Sequence, residues 1–307
     1  MNRVQPVLII HGGAGGAFSA KGGSASAGKD PRRKIKVRKK ISRILTLAYQ
    51  KLIHSDALEA VTYAVKLLED DSEFNAGTGS QLQSDGRARL TAAMMDGATQ
   101  HFAGVINIEK IKNPILVARA LLREKDRVLA GDGAFCYAIK KLGLKPVDTR
   151  TKDSILRWRQ WKKQKGSGSK KGSDPFWGSD TVGACALDRF GNLASATSTG
   201  GRGFEFPGRV SDSGMPVANY ADERCAVCAT GIGEEIIDEG LAVKVATRVE
   251  DGSTLAQAFR KTFAELGVRK RRIGAIGLNS KGKVFYLTTT EILIGGWQDA
   301  KGAGIFV

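Results

Sequence analysis

The chain has 307 residues, is 42% hydrophobic and carries 38 glycines but only 7 prolines, which suits a globular core with many tight turns. It holds no run of about 18 apolar residues, which argues against a membrane span, and its opening MNRVQPVLIIHGGAGG lacks the length and cleavage pattern of a secretory signal. The formal net charge of +17 would suit a nucleic-acid or anionic-surface binder, but the excess is local: segments 32–40 and 157–171 each hold seven Lys or Arg and no acid. Four cysteines, Cys136, Cys185, Cys225 and Cys228, do not make a disulfide framework at this size, so a reducing cytoplasm is the expected home.

In chain order, residues 4–10 read as a strand ending in the glycine turn His11–Gly15. Residues 20–30 read as a loop. Helical spacing follows near 40–52 and 56–69, the second with Ser55 as its N-cap. A glycine-bearing turn occupies 74–79. Segments 113–123 and 132–142 read as helices, and 164–180 as a Gly, Ser and Lys-rich linker. Beyond it, 181–187 and 193–197 read as a hairpin turning at 188–192. Residues 225–230 read as a strand, 233–247 and 254–266 as helices, and 273–288 as a second hairpin turning at 280–282. Two sheets covered by helices would explain this order.

The most informative stretch begins GSDTVGACALDRFGNLASATSTGG at Gly178, continues FPGRVSDSG and ends CATGIGEE. With IIHGGAG near the start, FNAGTGSQLQSDG at 74–86 and MMDG at 94–97, it resembles the plant-type asparaginase and isoaspartyl-peptidase family of N-terminal-nucleophile hydrolases. The motifs keep their order and touch most of the chain. The resemblance implies an α/β fold, a four-layer αββα sandwich, in one domain. It also implies self-cleavage between Asp180 and Thr181 into an α chain, 1–180, and a β chain, 181–307. A linker spanning about 157–180 would let the new end swing away.

The chemistry fits those residue types. A threonine hydroxyl is a poor nucleophile at neutral pH and needs a base. Freeing Thr181 exposes an α-amine, whose reference pKa is near 8, so a useful fraction can accept the hydroxyl proton. Alone, Thr181 would read as the first residue of a strand; its flanking motifs favour the nucleophile. By resemblance, Thr199 assists by hydrogen bonding, although a turn hydroxyl before Gly200-Gly201 competes as a reading. Arg209 offers a planar fork for a substrate carboxylate and Asp212 an acceptor for its ammonium, with Val210 and Ser211 between them in the binding segment. Thr230, Gly231, Ile232 and Gly233 join a strand to a helix, where free N–H groups can face an oxyanion. By resemblance, Thr230 and Gly231 serve there and Gly233 contacts substrate.

The resemblance further gives Asn75 the support of the nucleophile region. It surrounds a structural sodium with the carbonyls of Leu68, Glu69, Asp71, Phe74, Ala76 and Thr78; a plain helix-ending turn reads nearly as well. No cofactor is expected for catalysis. Cys225 and Cys228 read as buried small hydrophobes on opposite faces of a strand, and the three histidines form no metal pattern. Two positions depart from the family: Asp180, where glycine is commoner, and Thr91, where an acid is common.

The reading is an enzyme, a dimer of cleaved αβ units that hydrolyses L-asparagine and β-aspartyl dipeptides through an ester on Thr181. Glycosylasparaginase-like and taspase-like specificities are alternatives within the superfamily. A basic nucleic-acid binder, with Trp158 and Trp161 stacking on bases, is the alternative of another class.

Overall fold

The computed structural model describes residues 4–15, 31–166 and 181–307. The first part runs β1 (Val7–Gly15), α1 (Pro31–His54), α2 (Ala57–Asp70), β2 (Leu90–Asp96), β3 (His101–Ile108), α3 (Pro114–Leu121), β4 (Val128–Ala130), α4 (Gly131–Lys140) and α5 (Lys152–Gly166). The second runs β5 (Val182–Leu187), β6 (Leu193–Thr199), β7 (Asn219–Ala221), β8 (Cys225–Gly231), α6 (Gly233–Glu239), α7 (Leu241–Glu250), α8 (Leu255–Val268), β9 (Ile273–Asn279), β10 (Val284–Thr288), β11 (Ile292–Gln298) and β12 (Ala303–Phe306). The fold is mixed α/β. One sheet has the order β12-β11-β1-β5-β6-β2-β3-β4 and a second the order β10-β9-β8-β7. Every pairing is antiparallel except β3 with β4.

The period of two along each strand sorts the apolar residues into separate clusters. On β1, Leu8 and Ile10 join α1 and α2 residues such as Ile41, Leu45, Val61 and Leu68. Their alternates Val7 and Ile9 join Cys185 and Leu187 of β5 against Cys228, Ile276 and Leu278 of the smaller sheet. A further cluster sets Val227, Ala229 and Ala275 of that sheet against Leu241, Val245 and Phe259 on α7 and α8. Strands β5 and β6 are buried on both faces, which explains why they read as near-continuous small and apolar runs.

Helix ends follow local chemistry. The α2 cap is Asp56, whose carboxylate accepts from the Glu59 N–H at 2.7 Å, rather than the expected Ser55. A charged acceptor one residue on takes the orphan donor better than a hydroxyl. Asp188, buried in the β5–β6 turn, accepts from Ala57 N at 3.1 Å and from Phe190 N and Asn192 N, tying that hairpin to the start of α2. Thr254 and Gln257 form a capping box on α8.

Several expectations are corrected. β1 does not stop before the glycines; it runs to Gly15 with an irregularity between His11 and Gly13, because β11 supplies a partner edge. The helix expected at 40–52 starts at Pro31, so the basic segment 32–40 is its first turns. The single helix expected at 233–247 breaks at Gly240, which adopts φ 56° and ends α6. Residues 157–166 are not linker but the end of α5. Trp158 donates to Ser84 O at 3.1 Å, and Trp161 stacks on Phe204 with ring centroids 5.0 Å apart. Those contacts hold both rings against the body of the chain. The loop at 20–30, the linker from 167 and Asp180 lie outside the described residues. No helix among the described residues is long and apolar enough to cross a membrane.

Candidate active site

Thr181 stands immediately before β5, the strand paired with β1 on one side and β6 on the other. Its hydroxyl lies 3.3 Å from Ser213 Oγ. Because Val182 pairs with Ser198, the register places Thr181 beside Thr199 at the same sheet edge. The Thr199 hydroxyl accepts from Gly201 N at 3.1 Å, shaping the Gly200-Gly201 turn. Asn75 holds the same turn from behind: its amide donates to Gly201 O at 2.5 Å, its backbone carbonyl accepts from Gly200 N at 2.8 Å, and its Oδ1 accepts from Gln81 N at 2.9 Å.

These strand ends form the floor of a pocket of about 300 Å³. Of the residues singled out in the sequence, Thr181, Thr199, Arg209, Ser211, Asp212, Gly231, Ile232 and Gly233 line it. Asn75 is buried behind the wall, Thr230 is buried one step before Gly231, and Val210 points outward among the exposed residues. The sequence reading missed Ala14 and Gly15 at the end of β1, Arg202 after β6, Arg272 before β9, and Thr289, Thr290 and Glu291 between β10 and β11. The run TTTE between two alternating segments was the available signal for the last of these. Ser213 was also missed, although it sits within the quoted FPGRVSDSG.

The charge clamp is built around a glycine. A β-carbon on Gly233 would stand 2.6 Å from both Arg209 Nη2 and Asp212 Oδ1, so only glycine lets the start of α6 approach the pair. Arg209 donates to Glu234 Oε1 at 3.0 Å. Asp212 is 2% exposed, accepts from Ser211 Oγ at 2.9 Å through Oδ1, and has no partner for Oδ2 among the described residues. Burial pushes its carboxyl up to about 6, while the Ser211 hydroxyl and the Arg209 charge pull the other way. A buried, half-satisfied carboxylate facing a pocket is poised to meet a cation.

Close to the Thr181 backbone, His11 of β1 packs against Gly183, where a β-carbon would collide with the ring. Burial pushes its imidazole down to about 3, against a smaller upward pull from the Thr181 backbone, so the ring is neutral. Thr91, the position that departs from the acidic pattern, accepts from Asn107 N at 3.2 Å. Its methyl would be 2.9 Å from a β-carbon on Gly214. Its small size lets the Asp212–Gly214 turn sit down on β2.

The loop after α2 gathers carbonyls tightly. A β-carbon on Gly77 would collide with Glu69 O, and one on Gly79 with Phe74 O, while Leu68 O, Asp71 O and Ala76 O each accept one backbone N–H. Cys185 and Cys228 meet sulfur to sulfur at 3.5 Å between the sheets, whereas Cys225 faces α7 and α8. The opposite facing expected for Cys225 and Cys228 is what the strand produces.

The model of the asparaginase family matches residues 4–306. An isoaspartyl peptidase/L-asparaginase of Nostoc sp. is 40% identical over 99% of this chain and 95% of its own length. The isoaspartyl peptidase/L-asparaginase of Homo sapiens is 33% identical, covering 89% of this chain and 85% of its own. A plant-type L-asparaginase of Pyrobaculum calidifontis is 32% identical, covering 94% and 96%.

Proposed function

The chain belongs to the asparaginase family, and from that premise we propose that it hydrolyses L-asparagine to L-aspartate and ammonia and cleaves β-aspartyl dipeptides, with Thr181 as nucleophile. The observation that carries this reading is the convergence on one pocket of Thr181, the Arg209–Asp212 pair and the Gly231–Gly233 strand-to-helix junction.

Each part has a task. Arg209 takes the substrate α-carboxylate through a charge-assisted fork, and Asp212, with Oδ2 open, takes the α-ammonium. That clamp fixes the β-carbonyl over Thr181. The α-amine of a freed Thr181 removes the hydroxyl proton as the oxygen attacks. The Thr230 hydroxyl and the Gly231 N–H receive the oxyanion, a contribution of about 2.7–4 kcal/mol for a single donor. Ammonia or the second amino acid leaves with a proton. Water then cleaves the Thr181 ester and aspartate departs. Thr199 and Asn75 hold the floor of the site through the Gly200-Gly201 turn.

Release of the α-amine by self-cleavage at Asp180–Thr181 is part of this reading. So is a four-layer αββα stacking of the two sheets and their helices, which the three separate apolar clusters support. The crowded carbonyls of the 68–78 loop fit a structural sodium held by Leu68, Glu69, Asp71, Phe74, Ala76 and Thr78. Such an ion would supply positive charge that holds the loop, with Asn75 in its midst, and no chemical step. Assays of ammonia release from asparagine and of free amino acids from a β-aspartyl dipeptide test the function. Wild-type protein should support both and Thr181→Ala neither; activity surviving in Thr181→Ala contradicts the assignment.

A further inference from the structure

The α-amine that serves as base in hydrolysis exists only after the Asp180–Thr181 bond is cut. Self-cleavage therefore needs another acceptor for the Thr181 hydroxyl proton. A chain of side chains leads away from that hydroxyl. Thr181 Oγ1 is 3.3 Å from Ser213 Oγ, Ser213 Oγ is 3.4 Å from Ser211 Oγ, and Ser211 Oγ is 2.9 Å from Asp212 Oδ1.

We propose that Ser213 and Ser211 relay the Thr181 hydroxyl proton to Asp212 during self-cleavage. The proposal rests on the self-cleaving reading above and adds the base and its path. The hydrogens order themselves along this chain. Ser211 Oγ lies within donating reach of both Ser213 Oγ and Asp212 Oδ1 but has one hydrogen; Asp212, as a carboxylate, only accepts, so that hydrogen goes to it, and the Ser213 hydroxyl must turn to donate to Ser211 as Thr181 donates to Ser213. All three acceptor residues are buried, at 5%, 2% and 0% exposure for Ser211, Asp212 and Ser213.

The relay is held from outside. Thr197 Oγ1 donates to Ser213 O at 2.9 Å, and Asn219 Nδ2 donates to Thr197 Oγ1 at 2.7 Å, anchoring the Asp212–Gly214 turn to β6 beside the nucleophile. The first two links are long for hydroxyl bonds, as resting catalytic contacts often are. Charged neighbours of Asp212 are Arg209, which favours its carboxylate, and Glu234, which opposes it. Burial raises Asp212 to about 6, closer to the value a base needs at neutral pH than an ordinary carboxyl.

The step balances. Thr181 Oγ forms a bond to the Asp180 carbonyl carbon as its proton passes to Ser213, the Ser213 proton to Ser211, and the Ser211 proton to Asp212. The C–N bond then breaks, and the proton returns along the relay to the departing nitrogen. The result is an ester and a free Thr181 amine, with no net proton gained or lost. Water hydrolyses the ester to an Asp180 carboxylate and the Thr181 hydroxyl, and the proton released passes to the new amine or to solvent. Asp212 is then available to bind substrate ammonium, so one carboxylate serves two successive stages.

The test follows conversion of the 307-residue chain into two fragments by intact mass, for wild type, Ser213→Ala, Ser213→Thr and Ser211→Ala. The relay predicts that each alanine slows cleavage by more than about tenfold, and that Ser213→Thr, which keeps the hydroxyl, restores most of the rate. Rates measured in mixtures of H₂O and D₂O should curve for wild type, from several protons in flight, and become linear in Ser213→Ala. Cleavage of both alanine variants at the wild-type rate would overturn the relay and leave the self-cleaving reading intact. The same holds if Ser213→Thr stays as slow as Ser213→Ala at an equal melting temperature. A wild-type chain that never cleaves would overturn both.

Discussion

Arg209, which lines the pocket, donates through Nε to Glu234 Oε1 at 3.0 Å. On the function proposed above, a substrate carboxylate competes with Glu234 for that guanidinium. Burial raises the Glu234 carboxyl, but the Arg209 charge holds it below the usual range, so it competes as an anion. Glu234 is 49% exposed, and such pairs are worth about 0–1 kcal/mol. Glu234→Gln is therefore expected to lower KM for asparagine about two- to fivefold with kcat little changed. A raised KM would mean that Glu234 serves to orient Arg209 instead.

The Asp212 carboxyl, raised to about 6, sets an acid limb. On the function proposed above its charged form receives the substrate ammonium, so kcat/KM should be full above that value and fall as pH drops through about 6. The free-enzyme profile reports this group directly. Asp212→Asn should abolish the limb and cost about 2–5 kcal/mol of kcat/KM. Because the relay makes Asp212→Asn slow to cleave, its rates are normalised to the fraction carrying a free Thr181 amine; an unmoved limb in that fraction would assign it to another group.

Gly233→Ala tests the close approach at the clamp. The added methyl would stand 2.6 Å from both Arg209 Nη2 and Asp212 Oδ1 and must displace one of them. Misplacement by about 1 Å can cost around 10²-fold in rate. A loss of that order in kcat/KM, with a melting temperature close to wild type, is expected.

Much of this site was legible because its residue types are fixed by chemistry and sit in consecutive runs. Thr181, Thr199, Arg209 and Asp212 fall at strand ends or in loops whose turns are spelled out by glycine. The helices with regular apolar spacing, α2, α3, α4 and α8, were readable for the same reason. β2 and β11 escaped because both faces are largely covered, so neither shows a clean alternation. Part of the pocket wall escaped with them: Thr289–Glu291 lines the same pocket as Thr181, brought there as β11 returns to pair with β1. Helix α5 was hidden by its lysines. Its charged residues suggested a linker, while Trp158 and Trp161 anchor it to the body.

Away from the site, Glu239 gathers Arg269, Lys244 and Arg271, with the Arg269 bond the largest influence, and its carboxyl is held down to about 2 from an ordinary 4.5. A depressed carboxyl adds stability above its unfolded value and loses it as pH falls through the folded one. Glu239→Gln should melt lower than wild type at pH 7, and the gap should close between about 4.5 and 2. A gap that persists unchanged through that window would contradict the ion-pair account.

The thiols give a quick check of the packing. Cys136 is exposed, whereas Cys185, Cys225 and Cys228 are buried. Burial pushes the Cys225 thiol well above its ordinary value, and does the same to Cys185. A thiol reagent should label one cysteine in the native protein and four after denaturation; early labelling of Cys185 or Cys228 would contradict the packing between the sheets.

The most direct test of the account is the amino terminus of Thr181. Denaturing mass spectrometry of purified, incubated protein should give two fragments, 1–180 and 181–307, the second with a free Thr181 amine, in a sample that releases ammonia from asparagine. A single intact mass of 307 residues after long incubation, with no ammonia released, would contradict it.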